Sequence, residues 1–281
     1  MRLFIVGNGF DLAHDLPTKY WDFRTYLENR YPDFLEAFEQ HYYIYRNDSD
    51  DYKKDLLWND FETNLANIDE DIIIENAVGL EMGLESGDYG IEDTLRSYFR
   101  KEYQYVDRLA IYLKQWVRTI RIRDTVPVTS QILPHTEDYF ITFNYTSVLE
   151  NVYRIAPASI LHIHGSLHDY NDDPILGHGN RKRIENIKAK RNQAQIWQNE
   201  KEISICTVIG EYYNTTFKNV NNYMHKLGFL YKHNVEEIIV IGHSVEGIDL
   251  PYFKRIDEYT KRTATWKVYY FDKAKMEPMQ K

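Results

Sequence analysis

The stretch LFIVGNGFD, residues 3–11, places four apolar residues directly ahead of two glycines and a carboxylate. A short apolar run that ends in glycine predicts a strand buried on both of its faces. In doubly wound sheets, glycines at the carboxyl end of a strand let a ligand's phosphate approach the backbone. The candidate ligand-binding residues are therefore Gly7, Asn8, Gly9, Phe10 and Asp11. A tight strand-to-helix turn that needs glycine, with Asp11 as a helix cap, is the alternative.

Four later stretches have the same pattern of residues. Each is a short apolar run that ends near glycine, asparagine or aspartate: YFITFNYT (139–146), SILHIHGS (159–166), EIIVIGHS (237–244) and WKVYYFD (266–272). Continuous rather than alternating apolar character is typical of parallel strands covered on both faces. The predicted fold class is α/β, with a Rossmann-like, mostly parallel sheet flanked by helices.

Residues 17–125 differ from these strands. Their apolar and aromatic side chains recur three and four apart, which predicts several consecutive helices. More than a hundred residues separate the first strand from the next, far more than one crossover helix requires. We therefore expect a large helical insertion after the first strand. The predicted division is 1–16 with 136–281 as the α/β core, and 17–135 as the insertion and its connector.

Composition narrows the classes of function. The 281 residues include one cysteine, Cys206, which excludes an internal disulfide and a four-cysteine zinc site. The formal net charge is -9, an acidic balance that argues against a protein that binds duplex nucleic acid. No apolar run reaches the length of a membrane span, and the N-terminal run breaks at Asp11. We expect a cytoplasmic protein without a membrane or nucleic-acid partner.

Polar residues at the other strand ends are further candidates. Asn144 follows the second strand, where it either holds a sugar hydroxyl or water or caps the next helix. His162 and His164 alternate with apolar residues, which predicts that both imidazoles face one side of the third strand. Histidine is the side chain most ready to accept a proton near neutral pH.

Near the C-terminus, the stretch VIGHSVEGIDLPYF (240–253) adds a further strand end. It contributes Gly242, His243 and Ser244, and Asp249 stands ahead of a helix that begins with proline. Several strand ends therefore carry glycine or polar residues. This convergence favours a ligand site along that edge of the sheet.

Five segments together resemble a known family. LFIVGNGFDLAHDLPTKYWDF, FNYTSVLE, LHIHGS, ILGHGN and VIGHSVEGIDLPYF occur in this order and look like the AbiH family of bacteriophage abortive-infection proteins. That family is in turn similar to sirtuin-like NAD-binding domains. The resemblance implies that Gly7, Gly9 and Asp11 form the loop that contacts the dinucleotide. It also implies the following roles: Asn144 at the nicotinamide ribose or a water, His164 as base, and Gly242 with Ser244 at the adenosine half.

Departures from the sirtuin pattern shape the predicted chemistry. Sirtuin deacylases carry a four-cysteine zinc module beside the acyl-peptide groove, and this chain has a single cysteine. The glycine loop also ends in Phe10 and Asp11, where sirtuins have an apolar residue and a serine, which leaves open whether the ligand is NAD itself or a related nucleotide. With no acyl peptide, water is the expected acceptor of the ADP-ribosyl group. The sequence thus predicts an NAD glycohydrolase with NAD as substrate and no metal.

Three alternatives remain open. The protein could be a non-catalytic nucleotide sensor that acts through a partner, such as a second copy of itself or a phage-derived trigger. The stretch GHSVEG suggests a serine-hydrolase elbow, but Glu246 stands where that motif needs glycine. A metal site could use the histidines His162, His164, His168 and His178.

Overall fold

The computed structural model describes residues 1–70, 105–133, 137–165 and 174–269, with only the backbone for 105–107, and it contains a five-stranded sheet. The strands are β1 (Arg2–Val6), β2 (Tyr139–Thr142), β3 (Ile160–His162), β4 (Glu237–Ile241) and β5 (Thr265–Tyr269). They pair in the order β3-β2-β1-β4-β5, and every pairing is parallel. The predicted α/β class with a parallel sheet is confirmed, and each of the five apolar runs contributes one strand.

Helices make up most of the remaining described chain. They are α1 (Asn8–Ala13), α2 (Tyr20–Arg30), α3 (Pro32–Gln40), α4 (Asp50–Lys53), α5 (Phe61–Asn64), α6 (Tyr105–Thr119), α7 (Val148–Asn151), α8 (Arg181–Ile196), α9 (Glu200–Thr215) and α10 (Leu250–Tyr259). A π-helical turn spans Lys54–Trp58, and 3-10 segments span Pro157–Ser159, Val220–Lys232 and Gly247–Asp249. The predicted helical insertion, residues 17–135, contains α2–α6, which lie between β1 and β2. None of the described helices is long and apolar enough to cross a membrane.

Strand β1 shows why its apolar run is continuous. Leu3 and Ile5 pack on one face of the sheet, against the segment Val220–Lys232 and α10. Phe4 and Val6 pack on the opposite face, against α1 and α7. All four side chains are fully buried. A central parallel strand covered on both faces needs an apolar residue at each position, because neither face meets water.

At one point of the sheet, the direction in which successive strands are added reverses, and this is called the reversal point below. From β1 the chain proceeds outward to β2 and β3, and it then crosses to the other side of β1 to form β4 and β5. In open parallel sheets, ligands bind outside the carboxyl ends of the strands at such a point. Here it lies between β1 and β4, where the stretches GNGFD and IGHS emerge.

The chain divides into two compact units. The first holds the described residues of Met1–Phe23, Ala110–Ile175 and Asn219–Lys281, and so contains the sheet. The second holds those of Arg24–Leu109 and Leu176–Lys218. These boundaries run differently from the predicted 1–16 with 136–281 and 17–135, because residues 176–218 group with the earlier helices.

A buried ion pair stabilises the second unit. Arg24 donates two hydrogen bonds to the Glu39 carboxylate, from Nε at 2.7 Å and from Nη2 at 3.1 Å. The indole Nε1 of Trp58 also donates to Glu39, at 2.7 Å. Three donors therefore compensate for removing the Glu39 charge from water.

Candidate active site

The two glycine turns at the reversal point pack directly against each other. The Gly9 amide donates to the Gly242 carbonyl at 2.8 Å, and a Cβ added at Gly7 would lie 2.6 Å from that same carbonyl oxygen. Gly242 has φ +68°, and a Cβ there would overlap the Phe10 nitrogen. This close approach of backbones gives the glycines a packing reason, since any side chain would separate the turns. Their contact with a dinucleotide stays a prediction.

Asp11 follows these glycines and is 1% exposed. Its Oδ2 accepts a hydrogen bond of 2.7 Å from the Thr146 hydroxyl, while its buried Oδ1 accepts none from any described residue. Burial raises the pKa of Asp11 to about 6, against the opposing effect of the Thr146 and Asn144 polar groups. The residue that precedes α1 is Gly7, so Asp11 does not cap that helix.

Asn144 lies just past β2, beside the first glycine. Its amide Nδ2 donates to the Gly7 carbonyl at 3.1 Å, and its backbone N–H donates to the Thr142 hydroxyl at 3.1 Å. Its buried Oδ1 has no hydrogen-bond partner among the described residues. Ser147 directly precedes α7, so the alternative role of Asn144 as that helix's cap does not hold.

The two histidines of the third strand end have different partners. His162 Nδ1 lies 3.2 Å from the Asn144 carbonyl oxygen, and its Nε2 lies 2.8 Å from Glu150 Oε1. His164 contacts Asp249 instead. Strand alternation, which predicted a shared side for both imidazoles, does not extend through His164, because β3 ends at His162.

Asp249 lies between two imidazoles that come from different strands. His164 Nε2 is 3.2 Å from Asp249 Oδ1, close enough for an ion pair although not aligned as a hydrogen bond. His243 Nε2 is 3.6 Å from Asp249 Oδ2. The Phe143 ring packs edge-on against both imidazoles, with centroid distances of 5.0 Å to His164 and 4.5 Å to His243. His164 is 3% exposed, so this cluster is largely shielded from water.

The loop after β4 determines the tautomer of the neutral His243 imidazole. The Val245 amide donates to His243 Nδ1 at 3.0 Å, so the ring proton resides on Nε2, which faces Asp249. Val245 itself has φ +56°, an uncommon conformation for a β-branched residue. Such backbone strain is concentrated at functional sites.

The remaining predicted ligand residues have other surroundings. Asn8 is exposed and donates from Nδ2 to the Thr18 carbonyl at 3.0 Å, and Ser244 is exposed on its loop. Phe10 is buried in the core, where its ring contacts His14 and Tyr153. The assignment of Asn8, Phe10 and Ser244 to a ligand site stays a prediction.

The sequence did not predict three residues that contact the candidate site residues: Phe143, Thr146 and Glu150. All three lie in or beside the stretch FNYTSVLE. A hydroxyl two residues beyond Asn144 at the same strand end was the available signal for Thr146. No local pattern pairs Glu150 with His162, because the pair joins α7 to β3.

The metal alternative lacks a suitable cluster in the described part of the chain. No group of three or more His, Cys, Asp or Glu side chains able to hold a metal ion occurs among the described residues. His178 belongs to the second unit, apart in sequence from the histidines of the sheet edge. His168 lies outside the described residues.

A comparison with protein families bears on all of these residues. The model of the family described as Bacteriophage abortive infection AbiH matches residues 3–270, nearly the whole chain. The chain belongs to the AbiH family. AbiH proteins act in abortive infection, so the role of this protein is in defence against bacteriophage. The AbiH match includes both glycine turns and the His164–Asp249–His243 cluster. Among curated protein sequences, none matches the chain.

Proposed function

We propose that the protein defends its cell by hydrolysing NAD to nicotinamide and ADP-ribose. The observation that carries this proposal is His164, a buried imidazole held against Asp249 beside the reversal point of a parallel sheet. The AbiH family supplies the setting of abortive infection. NAD as the substrate comes from the expected similarity of that family's motifs to sirtuin-like domains. Loss of NAD would stop the metabolism on which phage replication depends.

The reaction requires one bond to break and one to form at a single carbon. The bond between ribose C1′ and the nicotinamide nitrogen breaks, and nicotinamide leaves with the electron pair. A water oxygen bonds to C1′, and the water loses one proton. The transition state resembles an oxocarbenium ion, so groups that stabilise positive charge or activate water accelerate the step.

His164 fits the role of the general base. Asp249 orients the imidazole and stabilises the imidazolium that forms when His164 accepts the water proton. The edge contact with Phe143 restricts rotation of the ring. A positioned base of this kind contributes roughly 10²–10⁴-fold to the rate.

Asn144 fits the role of a positioning group for the ribose. Its Nδ2 is held by the Gly7 carbonyl, which leaves the buried Oδ1 without a partner among the described residues. An unpaired buried acceptor is costly, and a ribose hydroxyl or the attacking water would supply the missing donor. The side chain is therefore already oriented before substrate binds.

Chromatography of the reaction products tests the proposal. The purified protein is incubated with NAD, with and without lysate of phage-infected cells, and nicotinamide and ADP-ribose are quantified. We expect products from the wild type and a loss of roughly 10²-fold or more in His164→Ala. His225→Ala, which changes an exposed histidine of the same unit, should retain activity.

Two outcomes would contradict this assignment. Equal rates for the wild type and His164→Ala would show that His164 is not the base. Saturable binding of NAD without product in either condition would instead favour a nucleotide sensor.

A further inference from the structure

The described protein satisfies the Asp11 carboxylate incompletely: besides the Thr146 hydroxyl, the Asn144 side chain is close enough to favour its charged form, but that amide donates its hydrogen bond to the Gly7 carbonyl. Oδ2 is bound by the Thr146 hydroxyl at 2.7 Å, whereas Oδ1 is buried and unpartnered among the described residues. The nearby Oδ1 of Asn144 is in the same condition. A buried acceptor without a donor is unfavourable, so an occupant that donates hydrogen bonds to these oxygens would be bound selectively.

Charge indicates what kind of donor would suit the site. The ionisable side chains that face Asp11 are His162 from β3 and Glu150 from α7, and they are bound to each other at 2.8 Å. A carboxylate repels phosphate, and the Gly9 amide, the candidate donor to a phosphate, already donates to the Gly242 carbonyl. The loop GNGFD therefore favours a sugar hydroxyl over a pyrophosphate, since carboxylates commonly accept from ribose hydroxyls.

We propose that Asp11 is a catalytic residue whose Oδ1 accepts a hydrogen bond from a hydroxyl of the nicotinamide ribose and whose charge stabilises the oxocarbenium-like transition state. This inference rests on the proposed NAD hydrolysis. Positive charge develops on the ribose as the glycosidic bond breaks, and a buried carboxylate acts on it in a medium of low dielectric. Asp11 thereby assigns the glycine loop to the reacting ribose.

A purely structural role accounts for less of what is seen. Asp11 does not cap α1, and a neutral side chain of the same shape would keep the Thr146 contact without burying a charge. Burial also raises the pKa of Asp11 to about 6, so the native fold is destabilised by keeping it ionised at neutral pH. A charge retained at such a cost is typical of a functional site.

Replacement of Asp11 by asparagine tests the inference, because it removes the charge and keeps the size. We expect kcat for NAD to fall roughly 10²-fold while the Kd for NAD changes by less than about threefold. Asp15→Asn is the matched control, since Asp15 is exposed and has φ +56°, which asparagine tolerates well.

The pH profile and an altered substrate separate catalysis from structure. Asp11 and the base His164 must both be deprotonated for catalysis, so the acid limb of the wild-type kcat, which includes the Asp11 ionisation with its pKa of about 6, should be steeper than that of Asp11→Asn, where only the base titrates. An NAD analogue whose nicotinamide ribose lacks both hydroxyls should show a smaller rate difference between the wild type and Asp11→Asn than NAD does, because only the effect of the charge remains. A merely structural role would slow both substrates alike.

Each remaining outcome decides the question. A wild-type kcat in Asp11→Asn, or an unchanged acid limb, would overturn the inference. If the wild type binds NAD without cleaving it, the proposed function fails, and calorimetry decides the role of Asp11. In that case the wild type should bind NAD at least about tenfold more tightly than the dideoxy analogue, and equal affinities would overturn the inference. Failure to bind either compound would overturn both proposals.

Discussion

At the scale of residues, the side chains of the candidate site contact one another, and few of them stand alone. Asp249 touches His164 and His243, and Phe143 packs against both imidazoles. The Asp11 carboxylate likewise accepts a hydrogen bond from the Thr146 hydroxyl. Substitutions at this scale should therefore separate orientation, charge and packing from one another.

Asp249→Asn tests the orientation of the base. The amide preserves the size of the side chain but lacks the charge that stabilises the His164 imidazolium. We expect NAD hydrolysis to fall roughly 10²-fold with little change in NAD affinity, as measured by kcat and calorimetric Kd. Glu246→Gln, which neutralises an exposed carboxylate of the same loop, should keep wild-type kinetics. A matching loss of NAD affinity in Asp249→Asn would indicate that Asp249 binds the ligand instead.

The stability of Asp11→Asn should depend on pH. The pKa of Asp11 is about 6 in the fold and about 3.9 in an unfolded chain, so the fold loses stability as pH rises between these values. Near neutral pH the loss approaches roughly 3 kcal/mol, and Asp11→Asn removes it. Urea unfolding should show the variant to be more stable than the wild type at about pH 8, with a smaller difference at about pH 5. Equal destabilisation at both values would contradict the raised pKa.

The contact between the glycine turns gives a prediction with an internal control. Gly242 and Gly247 have nearly the same positive φ, but only Gly242 faces a neighbouring backbone. Gly247→Ala should cost about 1–2 kcal/mol from its conformation alone. Gly242→Ala should cost more than about 4 kcal/mol, because its Cβ meets Phe10 and Gly9. Similar shifts in melting temperature for the two variants would refute this packing.

At the scale of elements, the sequence predicted the strands well. Each apolar run became one strand of the sheet. The three central strands β2, β1 and β4 are mainly buried and so require apolar residues at successive positions, whereas the edge strands β3 and β5 are more exposed. The helical insertion followed from the three-and-four spacing and from the length of chain between β1 and β2. These are local signals, readable within a single segment.

Local sequence patterns did not predict the contacts between distant segments. The contact of Gly9 with Gly242 joins turns more than two hundred residues apart, and Asp249 meets His164 only because two strand ends converge. Sequence patterns placed these residues at the same sheet edge but did not show which of them touch. The end of β3 at His162 was missed as well, since apolar alternation continues to His164.

The buried ion pair of the helical unit yields a prediction about α3. Glu39 accepts from both Arg24 and Trp58 inside the second unit. Glu39→Gln would remove the buried counter-ion of Arg24 and leave the exposed Glu28 as its ion-pair partner, which should cost up to about 3–5 kcal/mol. Glu36→Gln, at an exposed position on the same helix, should leave the free energy of unfolding within about 0.5 kcal/mol of the wild type, as measured by urea denaturation. Equal midpoints for the two variants would show that the pair contributes nothing net.

At the scale of the whole molecule, charge is distributed unevenly along the chain. Residues 31–95 contain eighteen acidic and three basic residues, so the rest of the chain carries a net positive charge. The candidate site lies in the first unit, which contains the sheet. The segments of that unit contain 17 basic and 18 acidic residues, so the unit is nearly neutral and most of the overall charge of -9 belongs to the second unit.

Membership in the AbiH family ties the molecule to phage defence, and NAD hydrolysis is the proposed means. The two are linked by one measurement in living cells. Cells that produce the wild type, His164→Ala or the control His225→Ala are infected with a phage against which the wild type protects. Intracellular NAD and phage yield are then followed together through the infection.

We predict that NAD falls, with release of ADP-ribose, in cells that carry the wild type or His225→Ala, and that phage yield falls with it. In His164→Ala cells, NAD should stay at the level of cells without the protein, and phage yield should recover. Protection by the wild type with NAD unchanged would contradict the account.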